Sequence, residues 1–340
     1  MAILVTGGAG YIGSHMVYAL VEAGERVVVL DNLSTGFEWA VAPGVPLVVG
    51  DTGDQRLVES VLREHDIDAI IHFAAAVVVP DSVRDPLAYY RNNTANSRTL
   101  IECAVNCGVR HFIFSSTAAV YGNPLEIPVR EDAATLPVSP YGWSKLMTEI
   151  MLRDAGAAHD LKHVILRYFN VAGADPQCRT GQSTNGATHL IKVAVEAALG
   201  LRPQLMIFGT DYPTADGTGI RDYIHVSDLV LAHCDALRSL RAGAASLTLN
   251  CGYGRGFSVR EVVEAVKQVS GVDFAVETAP RRPGDPARIV ADPTQIRNTL
   301  QWRPRYDDLP TIVGHALAWE RELMKRRAAR GTARSHFARA

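Results

Sequence analysis

Tyr141 and Lys145 stand four residues apart in the segment SPYGWSKLMTE. With only five lysines and eleven tyrosines in 340 residues, chance supplies such a pair about 0.2 times, so the spacing asks for a cause. Ser139 and Pro140 sit where a helix would begin, and residues 141–150 alternate polar and apolar side chains at helical spacing. Four residues are one helical turn, which puts the phenol and the ammonium on one face. A tyrosine loses its proton near pH 10, and a cation beside it favours the phenolate. The pair therefore predicts a general base working near neutral pH.

The opposite end of the same half of the chain says what such a base would serve. An apolar run at residues 2–5 is followed by Gly7, Gly10 and Gly13 and then by an amphipathic stretch at 16–23. This reads as strand, tight turn and helix. Gly7 allows the turn, Gly10 lets the backbone approach a pyrophosphate, and Gly13 permits the helix to pack closely on the strand. The helix N-terminus offers free amides and a partial positive charge. A second apolar run, at 26–30, ends in Asp31, where a carboxylate can accept from both hydroxyls of an adenosine ribose. An acid there repels a 2'-phosphate, so NAD is expected rather than NADP.

Composition bounds the rest. A chain of 36.8 kDa with 47% hydrophobic and 21% charged residues can bury a large core, as two domains or one with an appended lobe. A formal charge of −2 leaves no electrostatic footprint for nucleic acid or an anionic membrane, although the last twenty residues carry seven Lys or Arg against one Glu and read as a solvated tail. The strand at residue 2 leaves no room for a leader, and no apolar run reaches the roughly 18 residues of a membrane span. A cytoplasmic setting is expected. Five scattered cysteines make neither a disulfide framework nor a metal clamp, and His159 and His163 lack a third ligand nearby, so no metal is expected.

Strand-length apolar runs recur at 2–5, 27–30, 47–49, 69–72, 111–115 and 164–167, with helical stretches at 55–65 and 92–107 between them. This alternation predicts a doubly wound parallel sheet covered on both faces, a Rossmann-type α/β fold. Past residue 170 the rhythm breaks, with a helix at 187–199, irregular segments through 288 and a return to the sheet near 246–251. The expected division is a dinucleotide-binding domain over 1–170, returning near 225–251, a smaller α/β lobe over 171–330 and a basic tail at 331–340. Ligands bind at the carboxyl ends of such strands. Asp51 and Thr52 end the third strand, Phe73, Ala74 and Ala75 follow the fourth, and Ser115, Ser116 and Thr117 end the fifth, placing a hydroxyl beside Tyr141.

The segments TGGAGYIGSH, DNLSTG, HFAA, YYRNN, SSTAAVYG, SPYGWSK, RYFN, IFGTDYPTADGTGIRDYIHV and APRRPGD resemble the extended short-chain dehydrogenase/reductase family, and within it the UDP-glucose 4-epimerase group, from residue 2 to about 309. The resemblance implies tightly held NAD, a UDP-hexose substrate and a homodimer formed by helices near 92–107 and 141–153. It makes Tyr141 the base, Lys145 its electrostatic partner and Thr117 the hydroxyl on the sugar's O4. It lines the cofactor with Tyr11, Ile12, Asp31, Asn32, Leu33, Ser34, Thr35, Asp51, Thr52, Phe73, Ala74, Ala75, Val77, Asn92, Ser115 and Phe169. It assigns the UDP-sugar to Asn170, His189, Leu190, Phe208, Arg221, Arg282, Asp285 and Ile289, the last walling the sugar pocket. Two positions depart from the family: Val77 where many relatives have lysine, and His189 where many have asparagine.

The implied reaction moves a proton from the C4 hydroxyl to Tyr141 and a hydride to NAD, giving a 4-ketose that turns and is reduced on its other face. UDP-N-acetylhexosamines and UDP-pentoses are alternative substrates. A 4,6-dehydratase needs an acid and a base directly after the strand-five threonine, and this chain has Ala118 and Ala119 there. A non-catalytic NAD sensor needs no Thr117, Tyr141 and Lys145 together.

Overall fold

The opening strand is apolar up to its closing Thr6 because both of its faces are covered. In the computed structural model, which describes residues 1–337 apart from Pro283, β1 (Ala2–Thr6) is buried along its whole length. Ile3 and Val5 enter one apolar cluster and Ala2 and Leu4 another, as the two-residue period of a strand requires. After β1 come α1 (Tyr11–Glu22), β2 (Val27–Asp31), β3 (Leu47–Val49), α2 (Gln55–Glu64), β4 (Ile67–His72), α3 (Val79–Arg84), α4 (Pro86–Tyr89), α5 (Asn96–Asn106), β5 (His111–Thr117), α6 (Pro140–Ala158) and β6 (Lys162–Tyr168). The chain continues with β7 (Asn170–Ala172), α7 (Leu190–Ala198), β8 (Leu205–Phe208), β9 (Ile220–His225), α8 (Val226–Arg241), β10 (Leu247–Cys251), β11 (Gly256–Ser258), α9 (Val259–Ser270), β12 (Val276–Ala279), β13 (Arg288–Ile289), α10 (Thr294–Leu300) and α11 (Leu309–Phe337).

Seven strands form one parallel sheet in the order β10-β6-β5-β4-β1-β2-β3, the doubly wound arrangement that the alternation predicts. From β1 the chain winds outward to β2 and β3, and then from β4 to β5 and β6 on the other side. The strand order reverses between β1 and β4, which opens a crevice at their carboxyl ends. A second sheet is built on β9, which pairs with β7 and β13 in parallel and with β11 in antiparallel sense, and β8 pairs with β12.

Several expectations are corrected. The stretch expected to be irregular through 288 holds four strands and two long helices, and α8 packs on β5 and β6 of the main sheet. The expected helix at 92–107 begins instead as a π-helical turn over Tyr90–Ala95 that runs into α5, so the side chains there are rotated relative to a regular helix. The helix expected at 187–199 starts at Leu190, after an extended His189. The C-terminal segment expected as a solvated tail is helical through Phe337, and residues 338–340 of it lie outside the described residues.

Among the described residues five histidines are buried: His15, His72, His163, His225 and His233. His72 bonds Thr6 and Ser97, His233 bonds Ser115 and the Leu229 carbonyl, His225 receives the Ser227 amide and meets His315, and His15 meets the Tyr11 carbonyl. Burial pushes His72 and His225 down to about 3 and His15 and His233 down to about 4. The unfolded chain takes up these protons near pH 6.5 and the folded one does not, so acid favours unfolding. The stability these groups contribute is complete above pH 6.5 and is lost as the pH falls, by about 2 kcal/mol per histidine at pH 5. Calorimetry should show the melting temperature dropping steadily from pH 7 to pH 5. A flat profile across that window would contradict the burial of these rings.

Candidate active site

The glycine turn is built by backbone contact. Gly7 has a φ of +70°, which L side chains rarely adopt, and a Cβ there would lie 2.7 Å from the Ala74 nitrogen. A Cβ on Gly13 would stand 2.1 Å from the Gly7 carbonyl oxygen, so the start of α1 can sit on the turn only as glycine. Gly10 is the N-cap of α1 and no side chain caps it, which leaves the first amides of Tyr11 and Ile12 pointing out of the helix end. That cradle of free N–H groups with no side chain in the way fits a dinucleotide's pyrophosphate. Tyr11 reaches away, its hydroxyl donating to the Gly173 carbonyl at 2.7 Å and tying α1 to the segment after β7.

Asp31 closes β2 and is buried. Its two oxygens accept from the amides of Ala9 and Leu33 at 2.9 and 2.8 Å, which folds the loop of Asn32, Leu33, Ser34 and Thr35 over the turn. Asp51 accepts from Asn96 at 2.7 Å, from the Gly53 amide at 2.8 Å and from Asn32 at 3.2 Å. Thr52 beside it is buried. Phe73 leans on His233, and the Phe73 amide bonds the Thr6 carbonyl, which sets Ala74, the residue before Ala75, against Gly7. Val77 is 47% exposed, an apolar group on the rim. On the π-helical turn the Asn92 side-chain amide donates to Asn93 Oδ1 at 3.0 Å. Asn93, which motif reading passed over, receives the Ala76 amide and donates to the Ala76 carbonyl and to Ser144, so it staples the loop after β4 to α6.

Tyr141 is the second residue of α6. Pro140 starts that helix and Ser139 caps it, its hydroxyl accepting the Gly142 amide at 3.2 Å. The Tyr141 phenol is buried and hydrogen-bonds Thr117, the last residue of β5, whose own hydroxyl oxygen accepts the Ala119 amide at 3.1 Å. Lys145, 2% exposed, donates to the Ser115 carbonyl at 2.9 Å, and its ammonium lies 4.9 Å from the centre of the Phe114 ring. The Ser115 hydroxyl faces His233 instead of the crevice, and Ser116 donates to Glu149. Tyr168, also missed, closes β6, and burial with the nearby Tyr141 phenol opposes its ionisation.

The expected lowering of the Tyr141 pKa is not what the protein does. Burial pushes the phenol up to about 12 against the Thr117 hydrogen bond, and burial pushes Lys145 down to about 7 against the pull of Glu149. Both shifts disfavour the charged forms. Moving a proton from the phenol to the amine, however, changes no net charge. Near neutral pH the Lys145 amine is on the point of losing its proton, which marks it as an acceptor.

A second group of residues gathers around β8 and β9. Phe208 ends β8 with the Arg282 guanidinium 3.9 Å from its ring centre. Arg221 on β9 faces Asp285 at 3.5 Å. Asn170 opens β7, one strand over from Arg221's strand. His189 is exposed and precedes Leu190 at the start of α7, and its Nδ1 accepts from the Gln182 amide at 2.7 Å, which leaves the Nε2 hydrogen as an outward donor. Ile289 on β13 packs with Phe169, Tyr121 and Leu146, between this group and the catalytic helix.

Comparison with known proteins agrees with this geometry. Residues 3–252 match the profile of the NAD dependent epimerase/dehydratase family. The chain belongs to that family. It is 60% identical over 321 residues to a UDP-glucose 4-epimerase of Azospirillum brasilense, covering 94% of this chain and 92% of that relative. A solved UDP-glucose 4-epimerase from Brucella ovis in complex with NAD superposes with a TM-score of 0.91 at 42% identity, over 93% of this chain and 97% of that one. The UDP-Glc/GlcNAc 4-epimerase of Campylobacter jejuni does so with a TM-score of 0.83 at 49% identity, over 94% and 99%.

Proposed function

We propose that this protein is a UDP-glucose 4-epimerase, interconverting UDP-galactose and UDP-glucose through a 4-keto sugar. The observation that carries the reading is the meeting of Thr117, Tyr141 and Lys145 at the end of β5, beside the crevice that the glycine turn opens, in a family that is NAD dependent. NAD, when bound, supplies the acceptor and donor of the C4 hydride. Gly7, Gly10, Tyr11, Ile12 and Gly13 would hold its pyrophosphate, Asp31 to Thr35 and Asp51 its adenosine, and Phe73 to Ala75, Val77, Asn92, Ser115 and Phe169 the rest.

Thr117 and Tyr141 receive the sugar's O4. Tyr141 takes the O4 proton and Lys145 offsets the phenolate, the pair trading one proton inside a dry pocket without a change of net charge. Phe208, Arg221, Arg282 and Asp285, with Asn170, His189 and Leu190, grip the UDP. Guanidinium groups suit a diphosphate because they bond its oxygens in a fork. With UDP held and the sugar untethered, the ketose can turn its other face to the same groups. The first 170 residues with α8 and β10 form the cofactor half, and the segments around β8, β9 and β13 the substrate half. Elimination to a 4,6-dehydro sugar is disfavoured because Ala118 and Ala119, in the turn after Thr117, carry no acid or base.

A homodimer accords with an apolar stripe on α6, where Trp143, Met147 and Ile150 are 39%, 39% and 43% exposed, continued by Val83 and Leu87 on α3 and α4. These helices pack together, so a second copy would complete a helical bundle. Five free thiols suit a reducing compartment such as the cytoplasm.

The reading is tested by denaturing the purified protein to release NAD and by offering it UDP-galactose. Tyr141→Phe should retain NAD and lose at least ~10²-fold in turnover. Lys145→Ala should leave a lone phenol near 12, so its residual activity should rise with pH and the optimum should move upward. A pH profile unchanged from the wild type would leave Lys145 as an anchor only. The alternative substrates turn on Ile289. A group smaller than tyrosine at the pocket wall leaves room for an acetamido group, so UDP-N-acetylglucosamine should react measurably but less well, with a difference of ~1–3 kcal/mol. Ile289→Tyr should abolish that activity while sparing UDP-glucose. Equal turnover of the acetylated sugar by both proteins would show that Ile289 is not the wall.

A further inference from the structure

Behind the catalytic helix a carboxylate and a guanidinium are buried together. Glu149 lies on α6 one turn beyond Lys145 and two beyond Tyr141, and it is fully buried. Arg167, on β6 and 4% exposed, grips it with two bonds, Nε to Oε1 at 3.0 Å and Nη2 to Oε2 at 2.6 Å. The Ser116 hydroxyl donates to the same carboxylate, so the pair also holds the residue next to Thr117.

The pair does not end there. Arg167 Nη1 donates to the Tyr121 hydroxyl at 3.0 Å, which in turn donates to Asn250 Oδ1 at 2.7 Å. Asn250 Nδ2 donates to the Val129 carbonyl at 2.8 Å, and Val129 bonds the Val290 carbonyl and the Asp292 amide through its own amide and carbonyl at 2.8 Å each. An unbroken line of hydrogen bonds thus runs from the turn of α6 that follows the catalytic pair to the strip of chain that carries Ile289. None of Phe208, Arg221, Arg282 or the glycine turn is on it.

Two buried charges are poor stabilisers, because apolar residues of the same volume often stabilise a fold as well or better. Their use has to be sought in what they position. Resting on the roles proposed for Tyr141, Lys145 and Thr117, we propose that the Glu149–Arg167 pair is a positioning device for epimerisation. It fixes α6 and the end of β5 against the wall of the sugar pocket, so that the hydroxyls of Thr117 and Tyr141 meet O4 from either face of the turning ketose. A displacement of about 1 Å between reacting groups costs on the order of 10²-fold in rate, and the UDP and NAD contacts lie elsewhere.

The test compares Glu149→Gln, the double variant Glu149→Leu/Arg167→Met, Tyr141→Phe and the wild type with UDP-galactose as substrate. Glu149→Gln leaves an unpaired buried guanidinium and risks misfolding, whereas the double variant removes both charges and keeps the volume. The double variant should retain its NAD and a melting temperature within a few degrees of wild type, keep KM within about twofold, and lose roughly ten- to hundred-fold in kcat. Wild-type kcat in the double variant would overturn the proposal. So would a fall in kcat matched by loss of NAD or a collapse of the melting temperature, which would make the pair a structural brace. Full activity in Tyr141→Phe would instead overthrow the reading of the site itself, and the proposal with it.

Discussion

One bond organises the chemistry of this molecule: the donation from the buried Lys145 ammonium to the Ser115 carbonyl at the end of β5. A lysine is stripped of water only at a cost, which burial registers by pushing its pKa down to about 7. The carbonyl and the face of the Phe114 ring offset part of that cost, and both belong to the strand that ends in Thr117. Lys145 therefore pins α6 at one point, and one helical turn earlier Tyr141 has no choice but to meet Thr117. A helix and a strand far apart along the chain are brought into register at the reacting end.

The parallel sheet supplies the place for this meeting. Strands β1, β4 and β5 all run the same way, so the glycine turn, the small residues after β4 and the hydroxyl of Thr117 all emerge at one edge. The reversal of strand order between β1 and β4 opens that edge into a crevice. Residues far along the chain come back to it: α8 lies under β5, and His233 from that helix fills the space behind Ser115. The second sheet carries Arg221 on β9, and Phe208 ends β8 of the separate β8–β12 pair. Family membership and this geometry point to one activity.

Much of this was legible in the residues. The strand, glycine turn and helix show themselves because each glycine answers a local steric demand, and the parallel strands show themselves because burial on both faces leaves their middles apolar. The Tyr141 and Lys145 spacing is likewise local. What escaped reading is non-local. The short strands β8 and β9 look irregular because their partners, β12 in one case and β7, β11 and β13 in the other, lie tens of residues away. The π turn that aims Asn93 at Ala76 has no residue signature of its own. Glu149 and Arg167 resemble ordinary helix and strand-end charges until the fold buries them side by side. The upward shift of the Tyr141 phenol has the same origin, since proximity to a lysine is written in the sequence and loss of water is not.

In the proposed mechanism the C4 hydrogen leaves the sugar and returns to it inside the protein, while only the O4 proton passes through Tyr141 and Thr117. Running UDP-galactose deuterated at C4 through the enzyme in ordinary water, and reading the product by mass spectrometry, tests this directly. UDP-glucose that keeps its C4 deuterium is the predicted result. Loss of the label to solvent would mean that C4 is deprotonated by a base, and the roles assigned to Tyr141, Lys145 and NAD would be wrong.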